Sequence, residues 1–353
     1  MTTLQRYIVR TLAVHFATAL AALLAIFSVM QFMQELGETG TGMYGPGEAT
    51  WFVLLTLPNQ AYWLFPAAAL LGTVNGLGWL ASNNEIVAMQ ATGVSRLRIT
   101  GAVLIAAGFL ALTAILLGEG LGGPLARHAH MERSLALTSG LGLGTANGIW
   151  ARDGSRIVNV RTTVPDGTLR DVYVYDFEGR RMRTFTYARS AAWDAGKWTL
   201  HDLVERDINA DGSPVRRLPT EDLESRLGPR QLGVLFLPPE DLSLLDLLRT
   251  ERSLRERGED FHLHEYAFWR RASMPLIAAL MAFCAVPVVL DANRRSSVGQ
   301  RLILGVLIGL GFQMLNDTFA RFGLNYGLSP ILSAFLPVAC VLSVGVWKTL
   351  RAS

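Results

Sequence analysis

ATWFVLLTLPNQAYWLFPAAALLGTVNGLGWLASNN, residues 49–84, contains no Asp, Glu, Lys or Arg. A soluble core needs no charge-free stretch of that length, whereas crossing the ~30 Å hydrocarbon layer of a bilayer takes ~20 apolar residues of helix. Four other long apolar runs flank it, at 11–34, 99–118, 272–290 and 322–347. The chain is therefore predicted to be an integral membrane protein.

The composition agrees, with 50% hydrophobic and 17% charged residues. A shorter run at 302–316 completes a set of six predicted helices, at 11–33, 52–80, 99–121, 270–290, 301–321 and 329–348. The long polar stretch between the third and fourth helices is large enough for a separate domain. The predicted division is 1–124 with a cytoplasmic connector at 82–93, then a polar domain at 125–265, then 266–353.

Charges in the short loops predict the orientation, because cytoplasmic loops carry an excess of Lys and Arg. Arg6 and Arg10 precede the first helix, Arg96 and Arg98 end the loop before the third, and loop 35–48 has no basic residue. The last inner loop and the tail add Arg294, Arg295, Arg301, Lys348 and Arg351. Both termini are predicted to be cytoplasmic, which places the polar domain outside.

In the polar domain, short strand-like runs alternate with turn dipeptides such as Asp153-Gly154, Asp166-Gly167 and Asp211-Gly212. The runs lie at 149–152, 156–161, 169–177, 183–189 and 197–208. Their spacing of roughly ten residues predicts an all-β sandwich or jelly roll. Leucines from Leu242 onward then predict a helix that returns to the membrane.

The run Val172-Tyr173-Val174-Tyr175 is apolar on both faces of the predicted strand. One face closes the core of the domain. The other face needs a second cover, which is ordinarily another sheet but can also be a partner or a lipid chain.

The connector has the most specific local pattern, Ser-Asn-Asn-Glu-Ile-Val-Ala-Met-Gln-Ala-Thr-Gly at 82–93. Ser82 with Glu85 three residues later predicts a capping box, and Gly93 suits the left-handed residue that closes a helix. A short capped helix is therefore predicted between two charge-free spans. It is either a plain hairpin connector or a rigid element that docks on a cytoplasmic machine and transmits its motion.

Together with Leu70-Leu71-Gly72, this segment resembles the signature of the YjgP/YjgQ permease family, the membrane subunits of the lipopolysaccharide (LPS) exporter. The likeness covers nearly the whole chain and includes Arg6-Tyr7, Pro58, Pro66, Gly118-Glu119, Gly-Ile-Trp-Ala at 148–151 and Leu-Ser-Pro at 328–330. Of the two paralogous subunit types, Trp-Ala-Arg-Asp-Gly at 150–154 favours the LptG type over the LptF type.

The resemblance implies an ABC-type exporter in the bacterial inner membrane, which extracts LPS and passes it to a periplasmic bridge during outer membrane biogenesis. It implies six spans and a periplasmic β-jellyroll. The implied partners are an LptF-like permease, an LptB-like ATPase dimer that binds ATP and Mg, and an LptC-like single-span protein. No cofactor in this chain and no nucleic acid is implied.

The resemblance also assigns roles to residues. By position, Glu85 matches the coupling-helix glutamate of the family, and Ser82, Met89 and Gly93 lie in the same element. Related proteins place lysines near the outer ends of the first two helices against LPS phosphates, but here those places hold Gln31, Gly37, Glu38 and Asn59. The candidate LPS contacts are Gln31, Asn59, Arg127, His130, Arg133 and Arg321. Either the cavity holds its ligand differently, or the phosphate pattern of the lipid differs.

Enzymatic function is not expected, because the sequence has no Walker-A motif, no H-E-x-x-H and no Cys/His cluster. Two alternatives to an LPS permease stay open. A FtsX/MacB-like mechanotransmission protein would have four spans, with its outer domain after the first. A proton-coupled transporter would need paired ionisable groups near the midplane, for which His15 and Asp317 are the hints.

Overall fold

A computed structural model describes residues 3–137, 143–164, 168–179, 181–194, 197–208, 215–223, 225, 239–257, 261–290, 298–326 and 329–351. The helices are α1 (Thr3–Leu36), α2 (Pro46–Ser82), α3 (Glu85–Ala91), α4 (Arg96–Ile115), α5 (Gly123–Leu137), α6 (Leu244–Arg257), α7 (His262–Leu290), α8 (Val298–Tyr326) and α9 (Pro330–Arg351). A π-helical turn at Leu116–Gly122 joins α4 to α5, and a 3₁₀ turn covers Pro239–Asp241.

Four helical stretches in the described ranges are long and apolar enough to cross a membrane. They are α1, α2, the continuous stretch Arg96–Leu137 and His262–Val289. The predicted spans at 11–33, 52–80 and 99–121 lie inside the first three stretches, and 270–290 overlaps the fourth, which begins eight residues earlier and ends one residue earlier. The two remaining predicted spans fall within α8 and α9, which are helical. Four of the six predicted spans are therefore supported by length and hydropathy.

Helix α2 is the central helix of the bundle. It is apolar on all sides, as expected for a helix with neighbours all round. Leu70, Leu77 and Leu80 on α2 are fully buried and join one apolar cluster with residues of α1, α4 and α7. The helix runs through Pro58 and Pro66 without interruption.

Helices α1 and α2 approach closely at Gly72. A Cβ atom at this position would lie 2.5 Å from the Cα atom of Phe16 on α1. Glycine therefore sets the separation of the two helices, as small residues commonly do in membrane bundles.

The polar domain contains one six-stranded antiparallel sheet, whose strands are hydrogen-bonded in chain order. The strands are β1 (Leu143–Asp153), β2 (Arg156–Thr163), β3 (Leu169–Glu178), β4 (Arg181–Asp194), β5 (Lys197–Asp207) and β6 (Arg216–Leu223). The five predicted strands are confirmed; the first four are longer than predicted, and the fifth ends one residue earlier, at Asp207. Gly154 turns the β1–β2 hairpin with a φ of +65°. The other two turn dipeptides lie outside the described residues. The described strands form a single meander, so they do not establish the predicted sandwich or jelly roll.

The two faces of β3 differ as predicted. Val172 and Val174 lie in the buried core of the sheet. Tyr173 and Tyr175 point to the other face and pack against aromatic neighbours, including Trp150, whose ring stacks on Tyr175 at 5.6 Å. Trp150 remains 57% exposed, and the described strands provide no second sheet over this aromatic face.

Strand β6 was not predicted from the sequence. Arg-Arg-Leu-Pro-Thr-Glu-Asp-Leu is polar, and Pro219 cannot donate a backbone hydrogen bond. The strand lies at the edge of the sheet and pairs with β5 alone. Proline and charged residues are typical of edges, where they hinder pairing with other chains.

The close approach at Gly72 gives a stability prediction. Gly72→Ala should push α1 away from α2 and cost about 1–3 kcal/mol, as overpacking does in a dense core. The measurement is the midpoint of thermal unfolding of the purified protein in detergent. Gly101→Ala on α4 is the matched control, since a Cβ there would meet nothing within 4 Å. Equal midpoints for the two variants would contradict the packing argument.

Candidate functional site

The connector lies at one end of the bundle, between the last turn of α2 and the first turn of α4. Asn84, immediately before α3, has a left-handed backbone (φ 59°) and makes no side-chain cap hydrogen bond. The predicted capping box of Ser82 with Glu85 is therefore wrong. Because the buried end of α2 carries the helix on to Ser82, the Ser82 hydroxyl donates to the Trp79 carbonyl of its own helix, 2.9 Å away.

The C-terminal end of α3 has the geometry that was predicted for Gly93. This glycine has a φ of +88°. Its N–H donates to the Gln90 carbonyl, and the Val94 N–H donates to the Met89 carbonyl, both at 3.0 Å. This pair of bonds is a Schellman motif, which satisfies the last carbonyls of the helix. Met89 and Val94 also pack against the main apolar cluster.

Glu85 binds the start of α1 across the connector. The Tyr7 hydroxyl donates to Glu85 Oε2 at 2.8 Å. The next residue, Ile86, is 5% exposed and belongs to the main apolar cluster. Helix α3 is thus attached to α1 by a polar contact and to the bundle by an apolar one.

At the opposite end, where α5 leads into β1, an arginine is buried. Arg271 on α7 is 1% exposed. Its Nε donates to Glu119 Oε1 at 2.8 Å, and its terminal nitrogens donate to the carbonyls of Gly118 (2.8 Å) and Glu240 (3.1 Å). The guanidinium also lies 4.9 Å from the ring centre of Tyr62. A buried charge needs this degree of pairing, because its desolvation is otherwise uncompensated.

The π-helical turn positions Glu119 for this contact. A π turn inserts an extra residue into a helix, and such turns are frequent at functional sites. Here it brings Gly118 against the ring of Tyr62, where a side chain would collide with the ring. The Tyr62 hydroxyl in turn donates to the Arg271 carbonyl.

A second part of this network contains two of the predicted LPS contacts. Asn59 accepts a hydrogen bond from Arg271 (3.3 Å) and donates to Asp241 (2.7 Å). His130 Nε2 lies 2.8 Å from the other oxygen of Asp241. We call Arg271, Glu119, Asn59, Asp241 and His130 the sheet-side cluster. It joins α2, α5, α7, the π turn and the 3₁₀ turn.

The remaining predicted contacts lie apart from that cluster. Arg127 forms an ion pair with Asp246 at the start of α6. Gln31 hydrogen-bonds Thr56 between α1 and α2, at 3.2 Å. The side chain of Arg321 lies outside the described residues.

Arg133 is paired with Glu35 at the last turn of α1, with 2.6 Å between Nε and Oε2. Its guanidinium borders a cavity of about 430 Å³ between α2 and α5. Trp51 and Phe52 line this cavity. Arg133 is thus the predicted lipid contact that borders a cavity large enough for part of a ligand.

Sequence reasoning missed the site roles of Arg271, Glu119 and Glu35. Each is the first charged residue at one end of a predicted apolar run. That position was an available signal, because a charge next to hydrocarbon must be paired or must reach water. Among the described residues, no group of three or more His, Cys, Asp or Glu side chains could hold a metal ion.

Comparison with known proteins gives a family over nearly the whole chain. The family model "Lipopolysaccharide export system permease LptF/LptG" matches residues 6–351. The LPS export system permease protein LptG of Haemophilus influenzae is 31% identical over 348 residues, which cover 98% of this chain and 97% of that protein. LptG of Escherichia coli K12 is 30% identical over 354 residues, which cover 99% and 98%. The resemblance inferred from the connector is confirmed.

The pairing of Arg271 gives a second stability prediction. Arg271→Met leaves Glu119 without its cation and should cost about 3–5 kcal/mol, as breaking a buried ion pair does. Adding Glu119→Gln should recover part of this loss. The measurement is again the thermal unfolding midpoint in detergent.

Arg189→Ala is the matched control for this prediction. Arg189 is paired with Asp202 at 3.6 Å, but its side chain is 75% exposed. Exposed pairs contribute about 0–1 kcal/mol. A loss for Arg271→Met no larger than that for Arg189→Ala would contradict the structural role of the sheet-side cluster.

Proposed function

Because the chain belongs to the family of lipopolysaccharide export system permeases LptF and LptG, we propose that it is the LptG-type subunit of an ABC-type exporter. In this role it extracts LPS from the inner membrane and passes it to a periplasmic bridge. The geometry of the connector is the observation that supports this mechanism. A short helix with a Schellman end lies between two long apolar helices, and Glu85 attaches it to a third.

The proposed arrangement in the membrane has six spans and two cytoplasmic termini. Helices α8 and α9 supply the spans beyond the four that are long and apolar enough by themselves. The positive charges flanking α1 and α4 support a cytoplasmic connector. Residues 1–124 and 266–353 then form the membrane part, and 125–265 form a periplasmic domain.

We assign the six-stranded sheet to a periplasmic jelly-roll domain. Its apolar core face and its aromatic face both need cover, and the aromatic rings around Tyr173 and Tyr175 are open on one side. Further strands or a partner domain over the aromatic face would complete a two-layer domain. Such a domain suits the passage of a lipid from the membrane to a bridge.

Energy comes from a partner in this proposal. An LptB-like ATPase dimer binds ATP and Mg in the cytoplasm and docks on α3, since this chain lacks a P-loop. An LptF-like paralogue forms the second half of the permease, and an LptC-like single-span protein contributes to the gate. The chain itself is a non-enzymatic subunit.

A docked motor moves α3, and the contacts of α3 determine what moves with it. The bond from Tyr7 to Glu85 passes the displacement to α1. Ile86, Met89 and Val94 pass it to the apolar cluster shared by α2 and α4. Motion at the connector therefore reaches the far end of these helices, where Asn59 lies on α2 and Glu35 of α1 is paired with Arg133.

The order of elements argues against a FtsX/MacB-like protein, although four helices pass the length and hydropathy test. In that type the outer domain follows the first span. Here the sheet follows the third apolar helical stretch, which ends at Leu137. An LptF-type subunit of the same exporter is the remaining alternative, and the two LptG relatives favour the LptG type.

The coupling role of Glu85 can be tested by charge reversal in the reconstituted complex. Glu85→Lys should lower LPS release at least tenfold while ATP hydrolysis continues, because the motor loses its attachment and α1 loses the Tyr7 contact. Tyr7→Phe removes the second contact alone and should lower release by a smaller factor.

Glu221→Lys is the matched control for this experiment. It makes the same change on the exposed edge strand β6, so it should leave release unchanged. Normal release by Glu85→Lys, with spans still inserted, would show that the coupling assignment is wrong.

The partner assignment has its own test. The tagged chain, purified in mild detergent from its native membrane, should bring a P-loop ATPase and a second six-span paralogue with it. A paralogue that belongs to the LptG type would identify this chain as the LptF type. Recovery of the chain without either partner would contradict the proposed exporter.

A further inference from the structure

At the sheet-side end, Arg133 of α5 is held by a carboxylate from another helix. Its Nε donates to Glu35 Oε2 at 2.6 Å, and Glu35 lies in the last turn of α1, 98 residues earlier. Glu35 is 9% exposed, while the Arg133 side chain keeps 26% of its surface open. The carboxylate is thus enclosed, and the guanidinium is reachable.

Tyr44 holds Glu35 in this position. Its hydroxyl donates to the same oxygen, Oε2, at 2.7 Å, and the side chain is 1% exposed. Burial and this hydrogen bond raise the pKa of Tyr44, so the hydroxyl stays protonated and remains a donor. Backbone bonds fix the loop, since the Met43 N–H donates to the Ala136 carbonyl of α5. Glu35 is therefore kept ready to accept a hydrogen bond from Arg133.

The surroundings of Arg133 suit an anion that is carried on an apolar body. The guanidinium lies 5.8 Å from the ring centre of Tyr44 and 5.5 Å from that of Phe52. The adjoining cavity of about 430 Å³ is lined mainly by apolar side chains, among them Met43 and Leu135. Two carboxylates also line it: Glu48, which accepts the Gly45 N–H, and Glu132, which accepts the Trp51 Nε1–H. Aromatic rings hold a planar guanidinium in place, and its fork then binds carboxylate or phosphate.

We propose that Glu35 is an internal stand-in for the anionic headgroup of the transported lipid. In the ligand-free protein its carboxylate occupies Arg133, and a phosphate-bearing headgroup in the cavity displaces it. The inference rests on the proposed function, because it takes the cargo lipid as the ligand. Glu35 thus sets how tightly a phosphorylated headgroup binds at Arg133.

Phosphate is the group that can make this exchange. It carries about −1.5 to −2 charges and three strong acceptor oxygens, against one charge on a carboxylate. A neutral headgroup gains nothing from Arg133 that would offset the lost Glu35 contact. The internal carboxylate therefore lowers the affinity for phosphorylated lipids, which must displace it, and leaves the affinity for unphosphorylated lipids nearly unchanged.

The exchange also changes the attachment of α1. Glu35 links the end of α1 to α5, and Tyr7 links its start to Glu85 of the connector. Displacement of Glu35 releases one of these two links. Headgroup binding at the C-terminal end of α1 then changes how this helix is held, and its N-terminal end contacts the connector.

The test compares lipid binding to variants of the full complex in nanodiscs. The probes are bisphosphorylated hexa-acyl lipid A and the same lipid after enzymatic removal of both phosphates. Glu35→Gln keeps the shape but removes the competing charge, so it should bind the bisphosphorylated lipid about tenfold more tightly. Its affinity for the dephosphorylated lipid should change less than twofold, and the gain should vanish in Glu35→Gln with Arg133→Gln.

If the ion pair of Glu35 with Arg133 only stabilises the fold, Glu35→Gln should not tighten the binding of the bisphosphorylated lipid. Weaker or unchanged binding of the bisphosphorylated lipid by Glu35→Gln would overturn the inference, as would an equal gain for both lipids. Normal LPS release by the wild-type complex in the same preparation would show that the proposed function survives that result. Absence of both binding and release in the wild type would overturn the proposed function and this inference together.

A second measurement keeps Glu35 and Arg133 intact and does not depend on the folding of Glu35→Gln. Spin labels at Gln34→Cys and Met131→Cys, both at exposed positions, report the distance between the end of α1 and the middle of α5. Bisphosphorylated lipid should lengthen or broaden this distance, and dephosphorylated lipid should not. An identical distance distribution with and without bisphosphorylated lipid, at saturating occupancy, would overturn the displacement.

Discussion

A guanidinium that is shut off from water requires the protein to neutralise its charge and to accept its hydrogen bonds, and Arg271 imposes that requirement on this bundle. Its partners come from α2, the π turn and the 3₁₀ turn, while Arg271 itself is on α7. Glu119 binds a further segment by accepting the Leu244 N–H at 2.9 Å. Segments far apart in the chain are therefore joined at one point. The polypeptide that returns from the sheet cannot move there without the helices that hold Arg271.

Helices α1 and α2 differ in how they are held. Helix α2 is buried along its length and reaches from the sheet-side cluster at Asn59 to the connector at Ser82, about 35 Å at 1.5 Å per residue. Helix α1 has few buried residues, and polar contacts near its two ends bind it to Glu85 and to Arg133. An apolar core is hard to rearrange, because its dense packing resists small shifts. Exchanging a polar contact at either end of α1 is therefore a smaller change than separating α1 from α2 at Gly72.

The elements that the sequence predicts correctly depend on local or periodic patterns. Apolar length predicts four of the spans, alternation predicts five strands, and a glycine in the left-handed region predicts the end of α3. The predicted capping box is wrong although Ser82 and Glu85 have the required spacing. Helix α2 continues through its buried end to Ser82, so Ser82 belongs to α2 and does not cap α3. Arg271 and Glu119 are 152 residues apart, and nothing in the local sequence of either indicates the other.

The charges that border the apolar runs nonetheless follow one physical rule. Glu35, Glu48, Glu85, Glu119 and Arg271 each flank such a run, and each is hydrogen-bonded, Glu48 to the Gly45 N–H at 3.0 Å. A charge next to hydrocarbon is costly without a partner, so each of these positions needs one, and Glu48 finds it within its own segment. Because the partners of Glu35 and Glu85 belong to other elements, they connect α1 to α5 and to the connector. A motor at one end and an anionic lipid at the other would therefore act on the same helix through these two carboxylates.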